Sequence, residues 1–285
     1  MQNTITINPG GRPAINPRAA FVEYINTVGI NNKSIVQCLS EIGTRIKLYA
    51  SSNNIRIDQN AFNKANGDWY EWFISIAANE FFINNYTPAI LVNLPNISSF
   101  EVTSLYKPEL HSYIIDLREK LNLKGVNLVT SNPDFCIIRL RENRVNIASK
   151  YSDINFSNVS METLDKIDNI YRDFIGYAEL DDIAGYLSVK TSLRPDRRLQ
   201  LAHEGSLMKA IYTHLQTRTW TINPKGVKYY GAATQVTAAD IHGLKTVATH
   251  SIADVKSLPQ SAVDKLFTLS SVASLEECFS ELLSL

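Results

Sequence analysis

The stretch GYLSVKTSLRPDRRLQLAHEGSLMK, residues 185–209, decides how this chain is read. Tyr186, Leu187, Val189 and Leu193 are strand formers, and Ser188 and Lys190, two positions apart, share one face because side chains alternate along a strand. The expectation is a strand with one apolar face and one face carrying chemistry. Pro195 suits a first helical turn, where its missing N–H has no partner to lose. Leu199, Ala202, Ala210, Ile211 and Leu215 then recur at helical spacing, so a long helix follows. Glu204 lies in that helix, fourteen positions after Lys190. A strand ending in a lysine, followed by a packed helix that returns a carboxylate to the same edge, can bring ammonium and carboxylate around one metal ion. A surface salt bridge is the plainer alternative.

At 285 residues the chain exceeds the usual single-domain size, which predicts one elaborated domain or a core with an appended subdomain. Its 28 basic and 28 acidic side chains balance, so any nucleic-acid binding has to come from local patches rather than a global positive field. Cys38, Cys136 and Cys278 are far apart and lack metal-ligand spacing, which suits a reducing cytosol and ordinary core positions. The N-terminus has no positive region followed by an apolar run, and no apolar stretch approaches ~20 residues. A soluble cytoplasmic protein without a membrane partner is expected.

Residues 17–50 carry two helical stripes separated at Gly29 and followed by a polar segment, residues 51–60. They predict a small N-terminal helical subdomain over residues 1–60 and a catalytic and recognition domain over residues 61–285. Asn66-Gly67-Asp68 predicts the start of an aromatic-rich helix buried on more than one side. Glu71 then falls in a first turn, where the helix dipole favours a carboxylate, and Glu80 on a solvated edge. Residues 89–94 read as a strand and 108–121 as a helix. Residues 126–130 and 135–140 read as apolar runs divided by Ser131-Asn132-Pro133-Asp134. Residues 141–160 read as loop, 164–177 as a helix, 229–237 and 244–249 as strands, and 261–269 as a helix. Ser274 with Glu277 predicts the capping box of a last helix. The alternation of helices and strands, without internal repeats, predicts an α/β layered domain.

Asp134 opens the second apolar run at a strand end, a common metal-ligand position, although an Asp after Pro is also simple turn chemistry. Asp134, Ser188, Lys190 and Glu204 together are the equipment of metal-assisted phosphodiester hydrolysis. Two carboxylates hold a hard divalent cation through oxygen, while a lysine orients or helps deprotonate a water and offsets phosphate charge. His111, His203, His214, His242 and His250 show no zinc-type clustering. The chain has neither a glycine-rich phosphate loop nor a Gly-x-Ser-x-Gly elbow.

Pro133-Asp134, Ser188-x-Lys190, Arg194-Pro195-Asp196-Arg197 and Glu204, in that order and spacing, resemble the PD-(D/E)XK nucleases. Within them the pattern is similar to the tetrameric type II restriction endonucleases that recognise purine-CCGG-pyrimidine and related CCGG-centred sites. The similarity covers about residues 63–260 and is densest over 188–220, while residues 1–60 carry no motif. It implies a PD-(D/E)XK restriction endonuclease-like α/β core, a mixed central sheet flanked by helices. It also implies a Mg2+-dependent homotetramer that cuts double-stranded DNA before the first C and leaves a four-base 5′ overhang. The position two before Lys190, acidic in the general pattern, is Ser188 here, and the resemblance implies that Glu204 supplies the missing carboxylate. It assigns Asp134 and Glu204 as metal ligands, Lys190 as the catalytic lysine, Ser188 as a supporting polar group and Glu71 as an additional helix carboxylate near the metal.

Arginine bridges guanine O6 and N7, and aspartate accepts from cytosine N4, so Arg194, Asp196 and Arg197 carry the chemistry for reading G·C pairs. Two subunits about a twofold axis would read a palindrome. Ordinary solvated charges are the alternative, although two arginines at a helix N-terminus run against its dipole. Trp220 falls outside any apolar periodicity just after this helix. Tryptophan is enriched at interface hot spots, and the resembling enzymes pair two DNA-binding dimers back to back. Trp220 is therefore expected in that interface, with a cap over its own core as the alternative. A structure-specific repair or junction nuclease of the same fold, and a DNA-binding module that has lost catalysis, are rival functions.

Overall fold

A computed structural model describes residues 3–8, 10–130, 132–141, 143–253 and 259–284. A short antiparallel hairpin, β1 (Ile5–Ile7) with β2 (Pro13–Ile15), leads into α1 (Pro17–Thr27) and α2 (Ile35–Ser52). Asn16 caps α1 by accepting from the Ala19 N–H, and Ser34 with Gln37 forms a capping box on α2. Next comes α3 (Gln59–Asn84), capped by Asp58 and continuous through Gly67. Its start thus lies well before the expected one at residues 66–68. Trp69, Tyr70, Phe73, Ile74, Ile76 and Phe82 are each at most 2 % exposed, and burial worth ~1.5–3 kcal/mol per such side chain overrides one local Asn-Gly break signal.

The chain continues through β3 (Ala89–Asn93), α4 (Pro108–Asn122), β4 (Phe135–Arg139), α5 (Arg144–Lys150), α6 (Met161–Asn169) and β5 (Ile183–Lys190). It ends with α7 (Pro195–Thr219), β6 (Lys228–Ala233), α8 (Ala238–Leu244), α9 (His250–Ala253), β7 (Lys265–Thr268) and α10 (Val272–Leu282).

Two compact units result. One comprises Met1–Tyr86, Val145–Ile167 and Leu269–Ser280; the other comprises Thr87–Arg144, Asp168–Thr268 and Glu281–Leu285. The expected division at residue 60 is not where the units part, because α3 runs across that position and carries the first unit on to Tyr86. The first unit is helical and is tied together by buried side chains reaching main chain. Trp69 Nε1 donates to the Pro17 carbonyl at 2.9 Å, and Asn79 Nδ2 donates to the Tyr151 and Ile154 carbonyls at 2.9 and 2.8 Å.

The second unit is built on a five-stranded mixed sheet of order β3-β4-β5-β6-β7. The pairs β3–β4 and β4–β5 are antiparallel, while β5–β6 and β6–β7 are parallel. Helices flank it, as the α/β expectation required. The central strand β5 is buried from Ile183 through Val189, so it is covered on both faces rather than half-exposed.

Several local expectations fail for tertiary reasons. Residues 126–130 form no strand and are largely exposed, and residues 141–160 contain α5. The helix expected over 164–177 stops at Asn169 and tightens into a 3₁₀ turn, Ile170–Phe174. Residues 244–249 hold only an isolated bridge from Val247 to Ser261. The helix expected over 261–269 is instead β7, drawn into the ladder by the open edge of β6, whose N–H and C=O groups need partners. Ser271, not Ser274, opens α10: Ser271 Oγ accepts from the Ser274 N–H at 3.2 Å and Ser274 Oγ accepts from the Ser271 N–H at 3.0 Å. Cys38, Cys136 and Cys278 are buried and join in no disulfide among the described residues, and no helix among those residues is long and apolar enough to cross a membrane.

Candidate active site

Antiparallel register brings the first two groups together. Phe135 pairs with Leu187, so Asp134, one residue earlier, stands opposite Ser188, one residue later. Asp134 Oδ2 accepts from the Val189 N–H at 2.5 Å, from Ser188 Oγ at 3.1 Å and from Lys190 Nζ at 3.1 Å. Its other oxygen, Oδ1, receives no hydrogen bond from the described residues. Lys190 and Asp134 are only 15 % and 14 % exposed, so their pairing is little screened by water.

Glu204 arrives from α7. In the parallel register Tyr186 adjoins Tyr229 and Ser188 adjoins Gly231, so these four residues share the sheet face that α7 covers. One glycine lets the helix settle there: a β-carbon on Gly205 would lie 2.1 Å from the Ala262 carbonyl oxygen and 3.0 Å from the Tyr229 ring, whereas one on Gly231 would be in ordinary contact with Leu201 of α7 at 3.4 Å and would crowd Leu266 of β7 at 2.5 Å instead. Glu204, beside Gly205, is thereby carried into the sheet and is 2 % exposed. Its Oε2 accepts from Tyr229 Oη at 2.6 Å and lies 3.3 Å from Ser188 Oγ, which shares its one proton between Oε2 and Asp134, while Oε1 accepts from Gln200 Nε2 at 2.8 Å. Burial first, and then the Glu204 charge, push the Tyr229 phenol well above its ordinary value, so it stays a donor.

Ser188 thus touches both carboxylates, and Lys190 neutralises one of them. Asp134, Lys190, Gln200, Glu204 and Arg197 line a cleft of about 640 Å³ together with Arg118 and Glu101. Among the described residues no three His, Cys, Asp or Glu side chains converge into a closed metal cage. An open pair of carboxylates with a free Asp134 oxygen nevertheless fits Mg2+, which keeps several waters and takes one or two carboxylates plus substrate phosphate.

Beyond the cleft, Arg194 caps α7 with its side chain 66 % exposed, and Asp196, 64 % exposed, accepts from it at 3.3 Å. Arg197 lies 4.0 Å from Asp196 and donates to Gln200 Oε1 at 3.3 Å. Arg198 is used differently, pairing at 3.1 Å with Asp240, whose carboxyl is held below its usual range first by the Thr237 hydroxyl. Trp220 terminates α7 in the left-handed conformation, φ 54°, and is 87 % exposed, so it covers no core of its own chain. Glu71 stands on α3 in the helical unit, twelve residues after Gln59. It is therefore not in a first turn, and the dipole explanation for it falls away.

Three supporting groups had no signal of their own in the sequence. Gln200 is one helical turn before Glu204, a spacing that predicts contact without saying what it holds. Tyr229 looked only like a strand residue. Lys209 is 1 % exposed and pairs at 2.7 Å with Asp264, which in turn accepts from the Tyr229 N–H at 2.7 Å. Burial lowers the Lys209 ammonium from its ordinary value while Asp264 works to restore it.

A mixed sheet that gathers two carboxylates and a lysine at one strand end suits phosphodiester chemistry, and comparison with known proteins makes the class specific: the chain is a type II restriction endonuclease. It belongs to the Cfr10I/Bse634I restriction endonuclease family, which matches it over residues 1–285. It is 55 % identical over 275 residues to the type II restriction enzyme Cfr10I of Citrobacter freundii, covering 96 % of each chain. The type IIF restriction endonuclease Bse634I, solved with cognate DNA, superposes with a TM-score of 0.87 at 28 % identity, covering 98 % of this chain and 97 % of that one. A second Bse634I structure gives 0.86 at the same identity and coverage. Enzymes of this family generally depend on a divalent metal.

Proposed function

We propose that this enzyme is a PD-(D/E)XK nuclease of the prokaryotic cytoplasm that cuts duplex DNA at a palindromic CCGG-centred site, purine-CCGG-pyrimidine. Cleavage falls before the first C and leaves a four-base 5′ overhang. The observation that carries the reading is the convergence of Asp134 and Glu204 on the Ser188 hydroxyl, with Lys190 against Asp134. In this reading Asp134 and Glu204 hold Mg2+, which supplies positive charge for the scissile phosphate and an acidified water. Ser188 fixes the spacing of the two carboxylates. Lys190, the ammonium paired with Asp134, orients the attacking water by donating to it from Nζ and offsets the charge on the phosphate.

Arg194 and Arg197 read guanine O6 and N7, and Asp196 accepts from cytosine N4. Their exposure at the start of α7 supports this, since none is tied into the core as Arg198 is. The solved complex of Bse634I with cognate DNA supports a duplex partner. Two chains about a twofold axis give the palindrome, and two such dimers joined around Trp220 give a homotetramer.

The test is a plasmid with a few mapped CCGG sites, incubated with and without Mg2+. Fragments ending at purine-CCGG-pyrimidine sites only when metal is present are expected. Cutting that follows DNA structure rather than sequence would mark a junction or repair nuclease, and specific binding without cutting would mark an inactive module.

A further inference from the structure

We infer that Tyr229 is the positioning residue of Glu204: its hydroxyl fixes Oε2 in place so that Oε1 is the oxygen turned to the metal. The inference rests on the reading of Glu204 as a metal ligand. A glutamate reaching a strand end from a neighbouring helix has three side-chain torsions to fix, more than an aspartate would have on the strand itself. Its two oxygens are held in different ways. Oε2 receives Tyr229 Oη at 2.6 Å, the shortest bond either oxygen makes, and lies 3.3 Å from Ser188 Oγ, whose one proton is shared with Asp134. Among the described residues Oε1 receives only Gln200 Nε2, at 2.8 Å, from a half-buried side chain on the cleft wall.

Tyr229 cannot swing away. It is 0 % exposed, its N–H donates to Asp264 and its carbonyl accepts from the Asp264 N–H, both at 2.7 Å, and Asp264 is anchored by Lys209. Gln200 can swing away, because among the described residues its amide oxygen is engaged only by Arg197 at 3.3 Å, on the exposed start of α7. The rigid donor therefore sits on the oxygen facing the core and the yielding donor on the oxygen facing the cleft. When Gln200 withdraws, a carboxylate already aimed is left behind.

The test measures divalent-ion affinity of the full-length enzyme on uncleaved cognate duplex by titrating Ca2+ calorimetrically, beside the Mg2+ concentration giving half-maximal cleavage. Tyr229→Phe keeps the ring and removes one oxygen. Removing a hydrogen bond that orients a ligand typically weakens metal affinity roughly 10- to 100-fold. The same weakening is expected here, with cognate DNA binding in EDTA unchanged and the cleavage rate recovering at high Mg2+. Unchanged ion affinity in folded Tyr229→Phe overturns the inference. Gln200→Ala, at a half-exposed position, provides a second arm that does not depend on the phenylalanine variant folding. Ion affinity within about threefold of wild type is expected, and a tenfold loss would make Gln200 the anchor instead. Glu204→Gln separates the two readings. If it binds ions normally, the ligand assignment itself has failed; if it loses them while Tyr229→Phe does not, only the positioning role has.

Discussion

Gly205 meets the main chain of Ala262 so closely that a β-carbon would stand 2.1 Å from the Ala262 carbonyl oxygen. No side-chain rotation relieves that overlap, because the obstacle is backbone. The absence of a side chain here lets α7 lie against the sheet and brings Glu204 to Ser188. Gly205→Ala should therefore destabilise the protein by ~1–3 kcal/mol, the cost of forced overpacking outweighing the gain of up to ~1 kcal/mol from alanine's helix propensity. Gly43 in α2 has nothing within 4 Å of its β-carbon position. Gly43→Ala should raise stability by ~0.4–1 kcal/mol. Urea unfolding of the pair measures both signs, and equal shifts would show that the approach to Ala262 decides nothing.

Asp134→Ala and Glu204→Gln should abolish cleavage while specific DNA binding survives. Both remove negative charge from the place where a phosphate must approach, so binding without metal is expected to hold or tighten. A gel-shift assay in EDTA with cognate and scrambled duplexes decides it. Loss of specific binding by a folded variant would take these carboxylates out of the metal site and into recognition.

Much of this site was legible because its signals are local. The two-residue period puts Ser188 and Lys190 on one face, Pro195 starts α7, and proline at 133 keeps β4 from beginning before Phe135. What escaped depends on partners distant in sequence. Tyr229 and Lys209 acquire their roles only through the parallel pairing of β6 with β5 and the turn holding Asp264. Around β7, Ala262, Leu266 and Leu269 stand at i, i+4 and i+7, the spacing of a helix, which is why the sequence misleads there. The ladder to Tyr230–Ala233 chooses a strand instead, and no window of the sequence contains that choice.

Arg194→Ala and Asp196→Ala should each weaken the cognate complex by ~1–3 kcal/mol, the worth of one bidentate pairing with a base edge, and leave nonspecific binding nearly unchanged. Neither side chain has a structural task that its removal would disturb, since both are about two-thirds exposed and pair chiefly with each other. Competition titrations at fixed salt give the ratio. Equal weakening on every sequence would make them phosphate-binding groups.

Glu80 offers a pH-dependent test in the helical unit. It lines a largely apolar cavity of about 240 Å³ beside Phe73, Phe81, Phe156 and Phe279, and burial raises its carboxyl above the ordinary value although the Phe156 N–H donates to it. An acid with a raised folded pKa binds its proton more tightly in the folded state. Its contribution to stability is thus fully present below the unfolded value of ~4.3 and is lost as pH rises through the folded one. Glu80→Gln keeps an acceptor for Phe156 and removes the titration. The variant should melt higher than wild type at pH 7, with the difference shrinking below pH ~4. A difference independent of pH would assign the effect to packing.

Trp220 and Ile222 are 87 % and 89 % exposed at the end of α7. An aromatic side chain that can bury ~150–250 Å² is costly to leave in water and is a frequent interface anchor. The backbone there is left-handed, φ 54°, and strained for any residue with a β-carbon, so alanine bears the same strain as tryptophan and Trp220→Ala should fold normally. If dimers pair through this end of α7, the wild-type enzyme scatters light as a tetramer and Trp220→Ala as a dimer that still binds one DNA duplex. Any stimulation of cleavage by a second site on the same plasmid should then disappear in the variant. A tetrameric mass in folded Trp220→Ala places the interface elsewhere, and a dimeric wild type removes the tetramer.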